Sequence, residues 1–462
     1  MKNRTILQGD ALEKLQEISN ESIDCIVTDP PYGYSFMCKA WDKAVIGVDT
    51  WKECLRVLKP GAFACIMSAP RQDVMGRMIV NLTDAGFVTS FTPIFWAYPT
   101  GFPKATNIAK MVDKKLGFER EVIGVNEEFK KKNSASVKAG QSSMNKSLQI
   151  KGATSTEAGF QHPETIGDIT KPSSPQAKKL DGSYAGFQPK PAVEVILVCM
   201  KPLSEKNYIE QAMSTGKGIT WLDDCRIPFV NKKDIEGTKV GHKGTPLSPK
   251  TGWNENNMVT LPFNPPSGRF PANLLVSDDT LNDGKIRQGH SSGKTKHGFR
   301  SDGYIGNGEY YDDIIERGIL DSGSFSRYFD LDAWEKQHLS QFIITPKASK
   351  SEKNKGLDNF TMHKVNDGRK IDADNAFQRG ATERKNTHPT VKPVSLFSYL
   401  ITMVSRENDL VLDPFLGSGT CGISAEMLSR NWIGIELDET YVDIANARLD
   451  RFLKQQKLEE FC

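Results

Sequence analysis

Two short segments of this 462-residue chain hold residue types that can do chemistry together. In Asp29-Pro30-Pro31-Tyr32, two consecutive prolines fix the backbone so that the Asp29 side chain and the Pro30 carbonyl can face one point, with the flat ring of Tyr32 beside it. Two acceptors and a stacking surface suit a planar heterocycle bearing an amino group. The plainer alternative is a proline-terminated strand with a core tyrosine. The second segment, Asp413-Pro414-Phe415-Leu416-Gly417-Ser418-Gly419-Thr420, is a Gly-rich turn, and Gly417 to Gly422 satisfies G-x-G-x-x-G. Such a turn lets backbone N–H groups approach a ligand closely. Glu436, some twenty residues on, can accept hydrogen bonds from ribose hydroxyls. No lysine follows the glycines, which excludes a phosphate-cradling P-loop, and Asp413 would repel a pyrophosphate but attract a cation. A tight turn with no ligand is the alternative here.

The elements that must carry these segments are legible at both chain ends. Strands are expected at Thr5 to Leu7, Ile23 to Val27 and Ala62 to Met67, with helices over Leu12 to Ile18, Trp51 to Leu58 and Val74 to Leu82 between and after them. Asp10, three residues before Glu13, has the spacing of a helix cap. Near the other end Val394, Phe397, Ile401 and Val404 share a helix face. Leu410 to Leu412 and Trp432 to Leu437 read as buried strands, and Val442, Ala445, Leu449 and Phe452 stripe a final helix. Each of the two segments thus follows a strand, in α/β blocks that suggest a parallel sheet.

Between the blocks the texture changes. Lys, Ser, Gly, Asn and Pro dominate from Lys130 to Pro191, too few large aliphatics for a core, and Gly216 to Glu383 is similar apart from apolar islands at Phe270 to Val276 and Phe342 to Thr345. The run Val193 to Met200 reads as a strand returning to the main sheet. Charge divides along the same line. The chain has 60 Lys+Arg and 57 Asp+Glu, a net +3, but residues 101–300 hold 30 basic and 20 acidic residues, a balance of +10, leaving 30 against 37, or −7, elsewhere. A basic middle provides the field that phosphate binding needs.

Composition excludes other classes. Hydrophobic residues at 38% and charged residues at 25% describe a globular chain, and nothing approaches the ~18 apolar residues of a membrane span. The eight cysteines form no C-x-x-C pair, against a zinc ribbon or disulfide framework, so no metal is expected. Met1 to Leu7 lacks an apolar signal region, and the expected location is the cytoplasm.

Together the two segments resemble the S-adenosylmethionine-dependent DNA amino-methyltransferases, bacterial and phage enzymes that methylate the exocyclic nitrogen of adenine or cytosine. The family's (D/N/S)-P-P-(Y/F/W) motif corresponds to Asp29 to Tyr32, and its D-P-F-x-G-S-G-T motif to Asp413 to Thr420. The order, catalytic motif first and cofactor motif last, is the family's β arrangement. Gly9-Asp10, the H-P-T-x-K-P stretch His388 to Pro393, and Glu436 are similar to further family positions, as are Gly101 to Lys104 and Gly268 to Asn273.

The resemblance implies a circularly permuted, seven-stranded, doubly wound Rossmann-like sheet. Residues 1–100 would form its catalytic half, 385–462 its cofactor half, and 101–384 an inserted target-recognition region. It implies Asp29, Pro30, Pro31 and Tyr32 as catalytic. It assigns Asp10, Lys392, Asp413, Phe415, Gly417, Gly419, Thr420 and Glu436 to S-adenosyl-L-methionine. For Asp10 a helix cap, for Lys392 a solvated helix start and for Phe415 a core position are the competing roles. The D-P-P-Y form favours adenine N6 over cytosine N4, with double-stranded DNA as partner and the base flipped out of the duplex. A homodimer and a cognate endonuclease are left open. Two other classes compete: a nicotinamide-dependent oxidoreductase built on the glycine turn, and a catalytically silent DNA-binding module.

Overall fold

The computed structural model describes residues 4–33, 42–98, 106–127, 168–186, 193–229, 267–277, 281, 287–288, 322–323, 325–339, 350–365, 382–388 and 390–459. The Gly101 to Lys104 motif, most of Lys130 to Pro191 and the Phe342 to Thr345 island lie outside these residues.

Short apolar strands with two buried faces build the main sheet. Its strands are β1 (Arg4–Gln8), β2 (Cys25–Thr28), β3 (Phe63–Ser68), β4 (Ile94–Ala97), β5 (Val193–Met200), β6 (Leu274–Val276), β7 (Leu410–Asp413) and β8 (Asn431–Glu436). Their order in space is β1-β8-β7-β2-β3-β5-β4-β6. All neighbours pair in parallel except β5, which runs antiparallel to both β3 and β4. Side chains alternate along each strand. Cys25 and Val27 of β2 with Cys65 and Met67 of β3 face one core, while Ile26, Ala64 and Ile66 face the other. Both faces are therefore apolar, as a parallel sheet covered on two sides requires.

Helices cover each face. On one side lie α1 (Ala11–Leu15), α2 (Val48–Val57) and α3 (Gln72–Asp84), which bring Leu15, Trp51, Cys54, Met78 and Leu82 to the core. On the other lie α4 (Leu331–His338), α5 (Val394–Val404) and α6 (Thr420–Met427), followed by the long α7 (Glu439–Glu459). Every residue of α5 is buried. Trp334 of α4 meets Tyr399 of α5 edge-on with ring centroids 5.0 Å apart, and its indole N–H donates to the Asp224 carbonyl at 2.9 Å.

The expected seven strands become eight, because Leu274–Val276 adds an edge strand beside β4. The loop-rich middle thus gives the sheet two strands, β5 and β6, and its Leu331–His338 helix fills the core. Outside the main sheet, Glu121–Val125 pairs antiparallel with Asp168–Lys171.

The ends of β2 and β7 matter most for position. Asp24, just before β2, accepts the Leu410 N–H at the start of β7 at 2.8 Å, and its other oxygen meets Lys59 at 2.6 Å and Lys217 at 2.8 Å. This buried carboxylate fixes the relative height of the two strands. Their carboxyl ends, with Asp29 and Asp413, consequently open side by side.

Candidate active site

At the carboxyl end of β2 the backbone turns through Pro30 and Pro31. Gly33 follows at φ +76°, and its N–H donates to Asp42 at 2.8 Å, while Tyr32 bridges to Val45. These contacts fold Tyr32 back, and its hydroxyl donates to Asp29 Oδ1 at 2.5 Å. The other oxygen of Asp29 receives Lys392 Nζ at 2.5 Å. Nζ also lies 3.4 Å from the Tyr32 hydroxyl and 3.2 Å from Glu194 Oε2. Glu194 comes from β5, and its Oε1 accepts the Tyr98 hydroxyl at 3.5 Å. Two carboxylates, two phenols and one ammonium thus share one part-buried cluster. Burial works against the Lys392 charge, but Asp29 and then Glu194 outweigh it and hold its pKa above the ordinary lysine value. Burial likewise raises Tyr32 well above a free phenol, with Asp29 adding to the effect, so Tyr32 is a donor at neutral pH.

Beside it, β7 ends in a buried Asp413. Its Oδ1 accepts the Thr28 hydroxyl at 2.6 Å and the Phe415 N–H at 3.0 Å. Burial pushes this carboxyl up to about 7 despite those two bonds, and the charges of Asp29 and Glu436 push the same way. The turn that follows needs its glycines. Gly417 has φ +56° and Gly419 φ +84°, and a Cβ on Gly417 would lie 2.8 Å from His388 Nε2. The Gly417 N–H donates to Glu436 Oε2 at 2.8 Å, and Asp438 N–H to Oε1 at the same distance. A carboxylate has about four acceptor positions, so two remain for a ligand. Burial raises the Glu436 pKa, against these two backbone donors. Thr420 opens α6 and ties the two motifs together through a 3.4 Å bond from its hydroxyl to the Lys392 carbonyl.

The family model for N6/N4 DNA methylases matches residues 23–447, nearly the whole chain. The chain belongs to this DNA methylase family. Over 67 residues, 14% of the chain, it is 51% identical to the type II methyltransferase M.HinfI of Haemophilus influenzae. Over 68 residues, 15% of the chain, it is 43% identical to M.HpaI of Haemophilus parainfluenzae. These matches span 19% and 22% of the relatives' lengths, about a fifth of each. Among solved structures, PvuII DNA methyltransferase (cytosine-N4-specific) aligns with 98% of this chain and 93% of its own at 15% identity and a TM-score of 0.37.

The residues singled out in sequence fall into two adjoining groups. Asp29, Pro30, Pro31, Tyr32 and Lys392 gather at the end of β2; Asp413, Phe415, Gly417, Gly419, Thr420 and Glu436 gather at the ends of β7 and β8. Lys392 is buried in the first group rather than solvated. Phe415 is half-buried and meets Trp51 edge-on at 6.2 Å. Asp10 caps α1, accepting the N–H groups of Leu12 at 2.9 Å and Glu13 at 3.3 Å. Sequence reasoning missed Glu194, Tyr98 and Thr28. Only Glu194 carried a signal, as a lone acid inside the apolar run of β5.

Proposed function

We propose that this chain transfers a methyl group from S-adenosyl-L-methionine to the exocyclic N6 of an adenine in double-stranded DNA. The observation that carries the reading is the side-by-side opening of the two motifs at the carboxyl ends of the adjacent parallel strands β2 and β7, where open α/β sheets bind ligands. The cofactor, when bound, supplies an electrophilic methyl on a positively charged sulfur. Asp413 and Glu436 make the strand ends acidic, which fits a cation, and the positive-φ turn at Gly417 and Gly419 leaves backbone open to close approach by a ligand.

The chain's own residues then have to position a poor nucleophile, since the amine lone pair is delocalised into the ring. Asp29 and the Pro30 carbonyl accept the two amino hydrogens and favour a tetrahedral nitrogen aimed at the methyl. Tyr32 offers its face to the flipped base, and stacking returns part of the few kcal/mol spent on extrusion. The D-P-P-Y form supports adenine; cytosine offers the same amino group to the same acceptors and is the second reading. The order of motifs supports a circular permutation of the seven-strand methyltransferase sheet, extended here by β6. The basic character of residues 101–300 supports target recognition by the inserted middle.

A labelled-methyl assay on duplex DNA, RNA and protein extract tests the class. Label in DNA alone is expected, and label confined to RNA or protein would overturn the assignment. Asp29→Ala is expected to abolish transfer, by at least a hundredfold on the scale of lost transition-state acceptors, with cofactor affinity within about twofold of wild type.

A further inference from the structure

Lys392 presents a difficulty for any amine that must reach Asp29. Its ammonium already sits 2.5 Å from Asp29 Oδ2 in the position of a hydrogen-bond donor, and Tyr32 occupies the other oxygen. A target amine approaching Oδ2 competes with the Lys392 ammonium for that oxygen, and its bond to Asp29 strengthens if Lys392 lets go. A buried ammonium that lost its partner outright would pay a large desolvation cost. The structure holds an alternative within reach. Glu194 Oε2 lies 3.2 Å from the same Nζ, and among the described residues this buried oxygen has no other donor. Its partner oxygen is steadied by the Tyr98 hydroxyl at 3.5 Å, and Tyr98 itself packs on Trp96 with ring centroids 4.9 Å apart. Glu194 pairs with Trp96 in the register of β5 and β4, so its backbone is fixed by the sheet.

We propose that Glu194 is a positioning residue that takes over Lys392 when the target amine enters, freeing Asp29 to accept the amino hydrogens. A small swing of Nζ exchanges one carboxylate for another, and the ammonium stays paired throughout. In this arrangement Lys392 holds the place of the target amine on Asp29 until a base arrives, and Glu194 provides the open acceptor that makes its departure cheap. The proposal rests on the reading of Asp29 as the amine's acceptor.

The test is steady-state methyl transfer to duplex DNA by the full chain, with cofactor affinity measured in parallel, for Asp29→Ala, Glu194→Gln, Glu194→Asp, Lys392→Gln and the double variant E194Q/K392Q. Glu194→Gln removes the charge that competes for Lys392. It is expected to lower kcat roughly tenfold, the size of a coupling within one ion-pair network, with KM for cofactor and DNA unchanged. Glu194→Asp is expected to recover part of the loss. In the Lys392→Gln background Glu194→Gln should cost nothing further, because no ammonium remains to be held. Equal losses in both backgrounds, a raised KM at unchanged kcat, or wild-type turnover in Glu194→Gln would each overturn the proposal. If Glu194→Gln shows no cooperative melting, Tyr98→Phe replaces it: loss of the hydroxyl that steadies Glu194 should lower kcat in the Lys392 chain and not in Lys392→Gln. Wild-type turnover in Asp29→Ala would instead overturn the underlying reading of Asp29, which separates the two failures.

Discussion

At the scale of single residues, the buried acid of the Gly-rich turn makes an unusual thermodynamic prediction. Burial raises the Asp413 carboxyl from 3.8 to about 7, so between these values the folded chain holds a proton that the unfolded chain has released. Stability from this group therefore falls as pH rises from about 4 to about 7 and stays low above that. Asp413→Asn removes the titration. Melting curves of the ligand-free chain should show the variant gaining on wild type across that window, with a constant difference above pH 8; a difference that does not change with pH would contradict the assignment. A cation bound beside Asp413 would draw the proton off. The site residues legible in sequence were those whose types are chemically odd in a strand-to-loop junction: Asp29 beside two prolines, Asp413 before glycines. Glu194 and Thr28 escaped because an acid in an apolar run and a threonine at a strand end have many structural uses, and only the sheet register brings them to Asp29 and Asp413.

At the scale of elements, the site depends on two strands from opposite ends of the chain arriving level. Asp24 performs that alignment through the Leu410 N–H, Lys59 and Lys217. Burial would raise its pKa, but these partners overcome it and leave it below 3.8, so its contribution is present above that value and lost as pH falls through the acid range. Asp24→Asn should cost about 3 kcal/mol at pH 7, as expected when one partner of a buried ion cluster is neutralised, and the deficit should shrink below pH 4 in denaturant titrations. The strands at both chain ends were readable from continuous apolar runs bounded by Pro, Gly and Asp. Val193–Met200 was readable for the same reason. Leu274–Val276 was not, since three residues carry no periodicity and pairing with β4 alone makes them a strand. Trp334 was hidden similarly: a single aromatic in a polar eight-residue helix shows its core role only once α5 lies beneath it.

At the scale of the whole molecule, the +10 balance of residues 101–300 against −7 elsewhere matches a division between phosphate binding and cation binding. Replacing Lys130, Lys131 and Lys132 by Gln should weaken DNA binding across all sequences alike and lower the slope of log K against log salt by about one for each phosphate that is no longer neutralised. An unaltered slope would remove these lysines from the interface. The proposed methyl transfer requires Asp29 to present an adenine amine to a methyl donor. Modification-sensitive sequencing of DNA from cells expressing the wild-type chain or Asp29→Ala tests that claim most directly. N6-methyladenine is expected at one recurring site with wild type and none with the variant; methylation that survives Asp29→Ala, or a mark on cytosine in place of adenine, would contradict the proposed role of Asp29.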